Sequence, residues 1–466
     1  MLGLIGSLRM GTRSLAAQRQ GVEVAGHNLA NVNNTAYARQ RVSIQSTASG
    51  DGFTQPVGTG SEVAAIRQIR DQILDGQVVT EGGVTGSLES QQRALKLASS
   101  ASAPDSGEGS QQLVTGLTDF FNAFASLASQ PASIFEREIA VQKAVALAAQ
   151  FPALDQRLSR LSDQLDESLD ADLDSANALL SDIARLNFQV FRTEAVSGGT
   201  ANDLRDQRQA KMESLSGLVG FDAVEASDGS VAILVGGEPM VVVDTRTKTF
   251  EGYTAPDGRR LIRASGTAGP LVVTSGRVHG TMDARDGALK DLRDGIDELA
   301  AALIDEVNAI HTTGLALDGT TGRAFFLGSS AADIRVNQVL LDDPTTLQAA
   351  GATPPGGSFA RGDNRAALAL SKLGNEAIAD LDGQTFGGAF NRAVGRLGGE
   401  LFSVNQRLAD QKVVSDLLKG QRDSVIGVSI DEEMTDLTRF QRGYQASAKF
   451  IATIEEMLET TLGLKR

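Results

Sequence analysis

The sequence predicts a mainly α-helical, elongated protein with one inserted β module, its long antiparallel coiled-coil or bundle helices drawn from both ends of the chain. Three observations carry this prediction. Apolar residues recur every seven positions near both termini; a central stretch from 152 to 190 keeps steps of three and four; and residues 217–281 abandon the helical period for short β-branched runs.

Along the first helix Leu8, Leu15, Val22 and Leu29 recur at seven, with Leu4, Ala25 and Val32 beside them. That is the period of a helix face that meets another helix. Gly3, Gly6, Gly11, Gly21 and Gly26 interrupt it, and an interior glycine costs about 1 kcal/mol relative to alanine. Such a helix is marginal alone and calls for a partner. NLANVNNTA (28–36) is a polar stop, so His27, Asn28, Asn31, Asn33 and Asn34 read as a helix terminus and turn. From Tyr37 to Ile69, Val42, Ile44, Val63 and Ile66 among Gly, Thr and Ser predict short strands or an irregular arm.

Pro131 suits the first turn of a helix through Ile134, Phe135, Ile139, Val145 and Leu147. A second helix starts after Pro152 and carries Leu154, Leu158, Leu161, Leu165, Leu169, Leu173, Ala176, Leu180, Ile183 and Val190. At 1.5 Å per residue it spans about 60 Å, and its Asp, Gln, Ser and Arg face predicts a solvated coiled-coil arm. In the β module VAILV (231–235), MVVVD (240–244), RRLIRA (259–264) and PLVVT (270–274) are separated by Gly, Pro and Asp turns.

Helical coding resumes at Asp283, with Leu289, Ile296, Leu303 and Ile310 on one series and Leu292 and Leu299 on the other. Residues 311–385 are looser, with apolar runs at 325–327 and 334–341 and a helix near Asn364–Leu373. Phe390, Leu397, Val404, Gln411, Leu418 and Val425 then form a regular series, with Val394, Leu401, Leu408, Ser415 and Arg422 as companions. After a break at Gly427-Val428, Ser429 and Glu432 read as a capping box. The last helix carries Leu437, Tyr444, Ile451 and Leu458 on its main series. The expected organisation is a terminal helical assembly domain (1–40 and 430–466), a helical bundle (41–216 and 282–429) and an outward-facing β domain (217–281).

Composition narrows function. The 466 residues include no Cys, no Trp and only 3 His, with a net charge of −15. Thiol chemistry, cysteine–zinc sites, disulfides and iron–sulfur clusters are excluded, and the acidic balance disfavours nucleic acid and anionic membranes. Asp318-Gly319 and Asp382-Gly383 read as turns; LDGTTG (317–322) lacks the alternating oxygen ligands and terminal glutamate of a calcium loop. No catalytic constellation, metal site or cofactor site is expected. Arg9 and Arg13 interrupt the apolar opening, so no cleaved signal peptide is expected, and no apolar run is long enough to predict membrane insertion.

GHNLANVNNTAYARQRV (26–42) resembles the N-terminal motif of the bacterial flagellar rod, hook and hook-associated proteins, through Asn28, Asn31, Tyr37, Arg39 and Gln40. GVSIDEEMTDLTRFQRGYQASAKFIATIEEMLETTLGL (427–464) is similar to the C-terminal motif of that family, with Asp431, Glu432, Glu433, Gln441, Tyr444, Gln445, Ala446 and Lys449 in its pattern. Segments 202–220 and 307–326 add weaker likeness. The family often carries Gly where this chain has Ala36, which predicts ordinary backbone there.

The resemblance implies a non-enzymatic subunit at the hook–filament junction, exported through the flagellar type III channel and therefore extracellular without a cleaved signal. It implies assembly through an N-terminal seam of Leu8, Leu15, Val22 and Leu29 and a C-terminal seam of Leu437, Tyr444, Ile451 and Leu458. Implied partners are copies of itself, the hook protein, a second junction protein, flagellin indirectly, and an export chaperone on the C-terminal helix. A hook or distal-rod protein of the same family is the nearest alternative; a flagellum-associated lytic enzyme would need a carboxylate-bearing cleft that no stretch supplies, and an unrelated coiled-coil adhesin would not carry both terminal motifs.

Overall fold

The structure, a computed structural model, describes residues 3–48, 58–102, 109–242, 245–351 and 360–463. The middle of the predicted arm (49–57), the end of MVVVD (243–244) and the last residue of the C-terminal motif (464) lie outside these. In chain order the elements are α1 (Leu4–Ala30), β1 (Gln40–Ala48), β2 (Gly58–Gln68), α2 (Gln72–Ser102), α3 (Gly109–Ser129), α4 (Ile134–Ser197) and α5 (Asn202–Leu218). Six short strands follow: β3 (Asp222–Glu225), β4 (Val231–Val235), β5 (Glu238–Val242), β6 (Thr245–Arg246), β7 (Phe250–Thr254) and β8 (Arg260–Ala264). Then come α6 (Gly276–Ala284), a π-turn (Arg285–Leu289), α7 (Lys290–His311), β9 (Phe326–Leu327), β10 (Arg335–Val336), α8 (Gln338–Asp342), α9 (Arg365–Leu373), α10 (Phe386–Ile426) and α11 (Ile430–Gly463). The architecture is mainly α with inserted β structure, as predicted.

Two compact units are present. One holds residues 1–86, 172–276 and 410–466; the other holds 87–171 and 277–409. In the first, β1 and β2 form an antiparallel ribbon, with Gln40 opposite Gln68 and Arg41 opposite Arg67, and the ribbon packs on α1. Strands β3–β6 make a four-stranded antiparallel sheet and β7–β8 a hairpin. PLVVT is not a strand: Pro270 lacks an N–H, and only its neighbour Leu271 N bonds Ile262 O, at 2.7 Å. FEGYT takes the role instead, as β7, despite its glycine.

The second unit centres on aromatic packing. Phe120 lies 5.0 Å from Phe121, 5.1 Å from Phe124, 5.8 Å from Phe325 and 5.6 Å from Phe326, ring centre to ring centre. Arg137 is buried beside this core and donates to Leu347 O (2.5 Å) and Pro131 O (2.6 Å). Burial without a carboxylate pushes its guanidinium down to about 10.

Helix α4 departs from expectation in two ways. It runs through Pro152 without ending, although proline removes a helical hydrogen bond at a cost of about 3 kcal/mol. Its neighbours Ala148, Phe151 and Leu154 are all buried, and that burial offsets the loss. The ten apolar positions from Leu154 to Val190 are likewise buried, so the helix is a core element rather than a solvated arm. Helices α2 and α3, absent from the sequence reading, fill much of the rest. Their Gly-, Ser- and Gln-rich coding (EGGVTGSLESQQ, 81–92) conceals an apolar stripe that includes Val78, Leu88, Leu95, Leu117 and Leu127, all buried.

Four helix-borne asparagines dock non-helical chain in the same manner. Each accepts one residue's N–H at Oδ1 and donates from Nδ2 to that residue's C=O. Asn28 holds Gln40 (3.0 and 2.9 Å), Asn177 holds Phe250 (2.8 and 3.0 Å), Asn187 holds Val231 (3.1 and 2.8 Å) and Asn308 holds Phe326 (3.0 and 2.9 Å). An asparagine amide presents the same donor–acceptor pair as a neighbouring strand, so a helix can satisfy buried backbone where no strand is available.

Candidate assembly site

The two terminal helices pair antiparallel, and their contact face is not the leucine stripe. On α1 the buried positions are Gly11, Ala17, Gly21, Val24, Ala25 and Asn28. A Cβ at Gly11 would fall 2.8 Å from Ile451 Cγ1, and one at Gly21 would fall 2.4 Å from Phe440 Cδ1. Ser14 Oγ sits 3.1 Å from Ser447 Oγ, and a Cβ at Gly443 would meet Gln18 at 2.6 Å. Two of the glycines that weaken α1 as an isolated helix, Gly11 and Gly21, are thus the positions where α11 approaches closest, with Phe440 seated over Gly21, whereas a Cβ at Gly3 or Gly26 would meet nothing within 4 Å.

Leu8, Leu15, Val22 and Leu29 are each half-buried on the flank of this face. On α11, Leu437, Ile451 and Leu458 are also half-buried, while Tyr444 is 38% exposed. Of these predicted seam residues, only Ile451 is brought against α1 at a glycine. The others border the contact and keep apolar surface open.

Beyond the C-terminal end of α1 the predicted motif residues divide into two groups. Asn28, Tyr37, Arg39, Gln40, Glu432 and Glu433 converge in a polar lock. Asn28, 1% exposed, makes four hydrogen bonds: besides the Gln40 pair, its Nδ2 donates to Glu433 Oε2 (2.9 Å) and its Oδ1 accepts from Tyr37 Oη (2.7 Å). Arg39 donates from Nε to Glu433 Oε1 (2.6 Å) and from Nη1 to Glu432 Oε2 (2.5 Å). Its backbone N–H reaches Ile426 O at 3.0 Å. Glu432 is therefore engaged by Arg39 rather than by the capping box that Ser429 and Glu432 predict. Asn31 donates to His27 O at 3.0 Å and closes the helix end. Asp431, Gln441, Gln445, Ala446 and Lys449 are exposed and take no part in the lock.

Segment 202–208 completes it. Ala38 N donates to Asp206 Oδ2 (3.1 Å), and Gln40 Nε2 donates to Asp203 Oδ1 (2.8 Å). Gln68 Nε2 donates to Asp206 Oδ1 (2.8 Å), and Arg70 bridges Asp206 (2.7 Å) and Asp75 (2.6 Å). Burial pushes the Asp206 carboxyl up, against the pull of Arg70. Burial, then Asp203, Asp206 and Glu433, raise the Tyr37 hydroxyl well above its ordinary range, so it stays a donor to Asn28. For Arg39, burial opposes the charge and the two glutamates more than restore it. Asp203, Asp206, Gln68 and Arg70 were not singled out by sequence: their partners lie far along the chain, and no local period marks them.

Ala36 keeps ordinary backbone, as expected, since the one non-glycine residue with positive φ among those described is Asp382. The Asp318 carboxylate is taken up by Thr320 N (2.9 Å) and Oγ1 (2.6 Å) in a turn. Among the described residues no group of acidic and histidine side chains is placed to hold a metal ion, and no helix is long and apolar enough to cross a membrane.

Residues 106–326 match the family model of the flagellar hook-associated protein FlgK helical domain, and residues 424–464 match that of the flagellar basal body rod FlgEFG protein C-terminal region. Flagellar hook-associated protein 1 of Bacillus subtilis is 23% identical, with 98% of this chain and 97% of the relative covered. Its counterpart in Salmonella typhimurium is 24% identical, with 97% and 98% covered. Over nearly its whole length the chain is similar to flagellar hook-associated protein 1. A solved structure, that of the flagellar hook junction protein FlgK from Burkholderia pseudomallei, shares the fold at a TM-score of 0.63 and 16% identity, over 75% of this chain and all of that one. These relatives are named as hook-associated proteins of the flagellum, not as enzymes, and the likeness supports a structural component of the flagellum. The second family model ends one residue after the described part of α11, and it contains Glu432 and Glu433, the C-terminal half of the lock.

Proposed function

We propose that this chain is the subunit that joins hook to filament, and that it assembles through its two terminal helices after export through the flagellar type III channel. The observation that carries the reading is the lock: Asn28 and Arg39 at one end of the chain are tied to Glu432 and Glu433 near the other. A chain that passes through a channel unfolded has no such contact until both ends have emerged, so the lock forms outside. The half-buried leucines beside the α1–α11 contact and the exposed Tyr444 are then the surface offered to neighbours.

Residues 1–40 and 430–466 would act as the assembly domain, with Leu8, Leu15, Val22 and Leu29 facing one neighbour and Leu437, Tyr444 and Leu458 another, while Ile451 packs at Gly11 within the chain. The segment 217–281 would face outward. The partners are further copies of this chain, the hook protein, a second junction protein and, through it, flagellin; before export, a chaperone would cover α11. Match to the helical-domain model over 106–326 favours this over a hook or rod role, because the rod model covers only 424–464. Removing 430–466 in a flagellated host that lacks its own copy tests the reading. Loss of filaments with the hook intact is expected; normal filaments and swimming would sink it.

A further inference from the structure

The paired terminal helices carry opposite exposed charge at the same end of the pair. Arg9 and Arg13 stand exposed near the start of α1, and Glu455, Glu456 and Glu459 stand exposed near the end of α11. Among the described residues none of these five has an ion pair within the chain; Arg19 is matched by Glu23 (3.4 Å) and Arg439 by Asp436 (3.1 Å). The antiparallel register that sets Gly11 against Ile451 and Ser14 against Ser447 places Arg9 level with Ala452 and Glu455 level with Gly6. At 1.5 Å per residue the nearest members, Arg9 and Glu455, are offset along the axis by about 5 Å and the centres of the two ridges by about 10 Å.

Both ridges also sit at the unfavourable pole of their own helix. A helix N-terminus favours negative charge and its C-terminus positive charge, yet α1 has no acid in its first turn and α11 has no base in its last. Among the described residues no ion pair within the chain uses either ridge. A neighbour can, since a ridge of each sign at the same end of the pair is what a head-to-tail contact between identical subunits repeats around a ring or helix.

We infer that Arg9 and Arg13 of one copy dock against Glu455, Glu456 and Glu459 of a second copy. This rests on the assembly reading above and specifies its electrostatics. In this contact Leu8 and Leu15, beside the arginine ridge of one copy, meet Leu458, beside the glutamate ridge of the next, and the charges set the register and orientation.

The test uses full-length chain in a flagellated host lacking its own copy, with incorporation read by immunoblot of purified flagella and export read in the medium. R9E/R13E and E455K/E459K should each be exported normally and incorporate at least about ten-fold less than wild type, since each sets like charges face to face. The four-fold variant R9E/R13E/E455K/E459K restores opposite charge at positions 455 and 459, leaving only Glu456 unreversed, and should recover most of the lost incorporation. Normal incorporation of either half-variant, or a four-fold variant no better than the halves, overturns the proposal. Loss of filaments on removing 430–466 alongside unaffected charge variants would fail the charge contact alone; normal filaments after that removal would fail the assembly reading with it. Circular dichroism of each variant guards against misfolding, and a half-variant that loses helix is replaced by R9Q/R13Q, for which a smaller loss in the same direction is expected and none overturns the proposal.

Discussion

Asn28 is the residue whose replacement most directly challenges the lock. Replacing it with aspartate keeps both acceptor functions, toward Tyr37 and the Gln40 N–H, and turns both donors into acceptors facing Gln40 O and Glu433 Oε2, each 2.9 Å away. Two hydrogen bonds are lost, one of them to a charged group, at about 1 and about 2 kcal/mol. Two carboxylates then face each other in a site where Asn28 and Glu433 are nearly inaccessible, which adds on the order of 1–2 kcal/mol after partial proton sharing. The total is about 4 kcal/mol at neutral pH. Because the chain holds two units, a single global unfolding energy is poorly defined, and local hydrogen exchange of residues 28–45 is the suitable assay. The Gln40 amide should exchange about a thousand-fold faster in Asn28→Asp. The new carboxyl has its folded pKa raised, so the penalty is complete above that pKa and shrinks as pH falls through it. At pH 4.5 the deficit should therefore narrow, whereas Asn28→Ala should show a deficit that does not. Protection at Gln40 within ten-fold of wild type at pH 7 would refute the account of the lock.

Other expectations follow from single contacts. Gly21→Ala forces a Cβ to within 2.4 Å of Phe440 and should destabilise the α1–α11 pair by about 1–3 kcal/mol, seen as faster proteolysis of α11; adding Phe440→Leu should recover most of it. His311 is fully buried, accepts from Gln348 N at 3.0 Å and faces Arg323 O at 2.8 Å. Burial pushes its imidazole down to about 4 from an ordinary 6.5, so the unfolded chain binds the extra proton between those values. Its contribution is complete above pH 6.5 and is lost as pH falls toward 4, on the order of 3 kcal/mol; melting scans should show that slope, and His311→Gln should flatten it. Asn187→Leu strips Val231 of both backbone partners and Arg208 of a 3.0 Å acceptor, so exchange across 222–242 should accelerate while the Phe120 cluster stays protected.

Much of this fold was legible because helix and strand leave local signatures. The seven-residue series from Leu289 to Ile310 became the end of the π-turn and α7, VAILV became β4 to the residue, and the helix near Asn364–Leu373 became α9. Helices α2 and α3 were not legible, since glycine and serine dilute their apolar stripes. Pro152 suggested a helix start because the penalty of an interior proline is local, while the burial that outweighs it comes from neighbours distant in sequence.

The site divides along the same line. Periodicity marked both terminal helices as contact elements and the motifs marked the residues around Asn28 and Glu433, since amphipathic spacing and short patterns are properties of neighbouring residues. It could not choose the contact face. Apolar content ranks the leucine stripe first, but close approach of two helices selects for absent side chains, and so Gly11 and Gly21 lie innermost with Phe440 and Ile451 against them. Nor could it join Asn28 to Glu433 across 405 residues, or Ala38 to Asp206 across 168. Those bonds exist only because folding removes water from all their members at once, leaving each buried donor and acceptor no partner but the others.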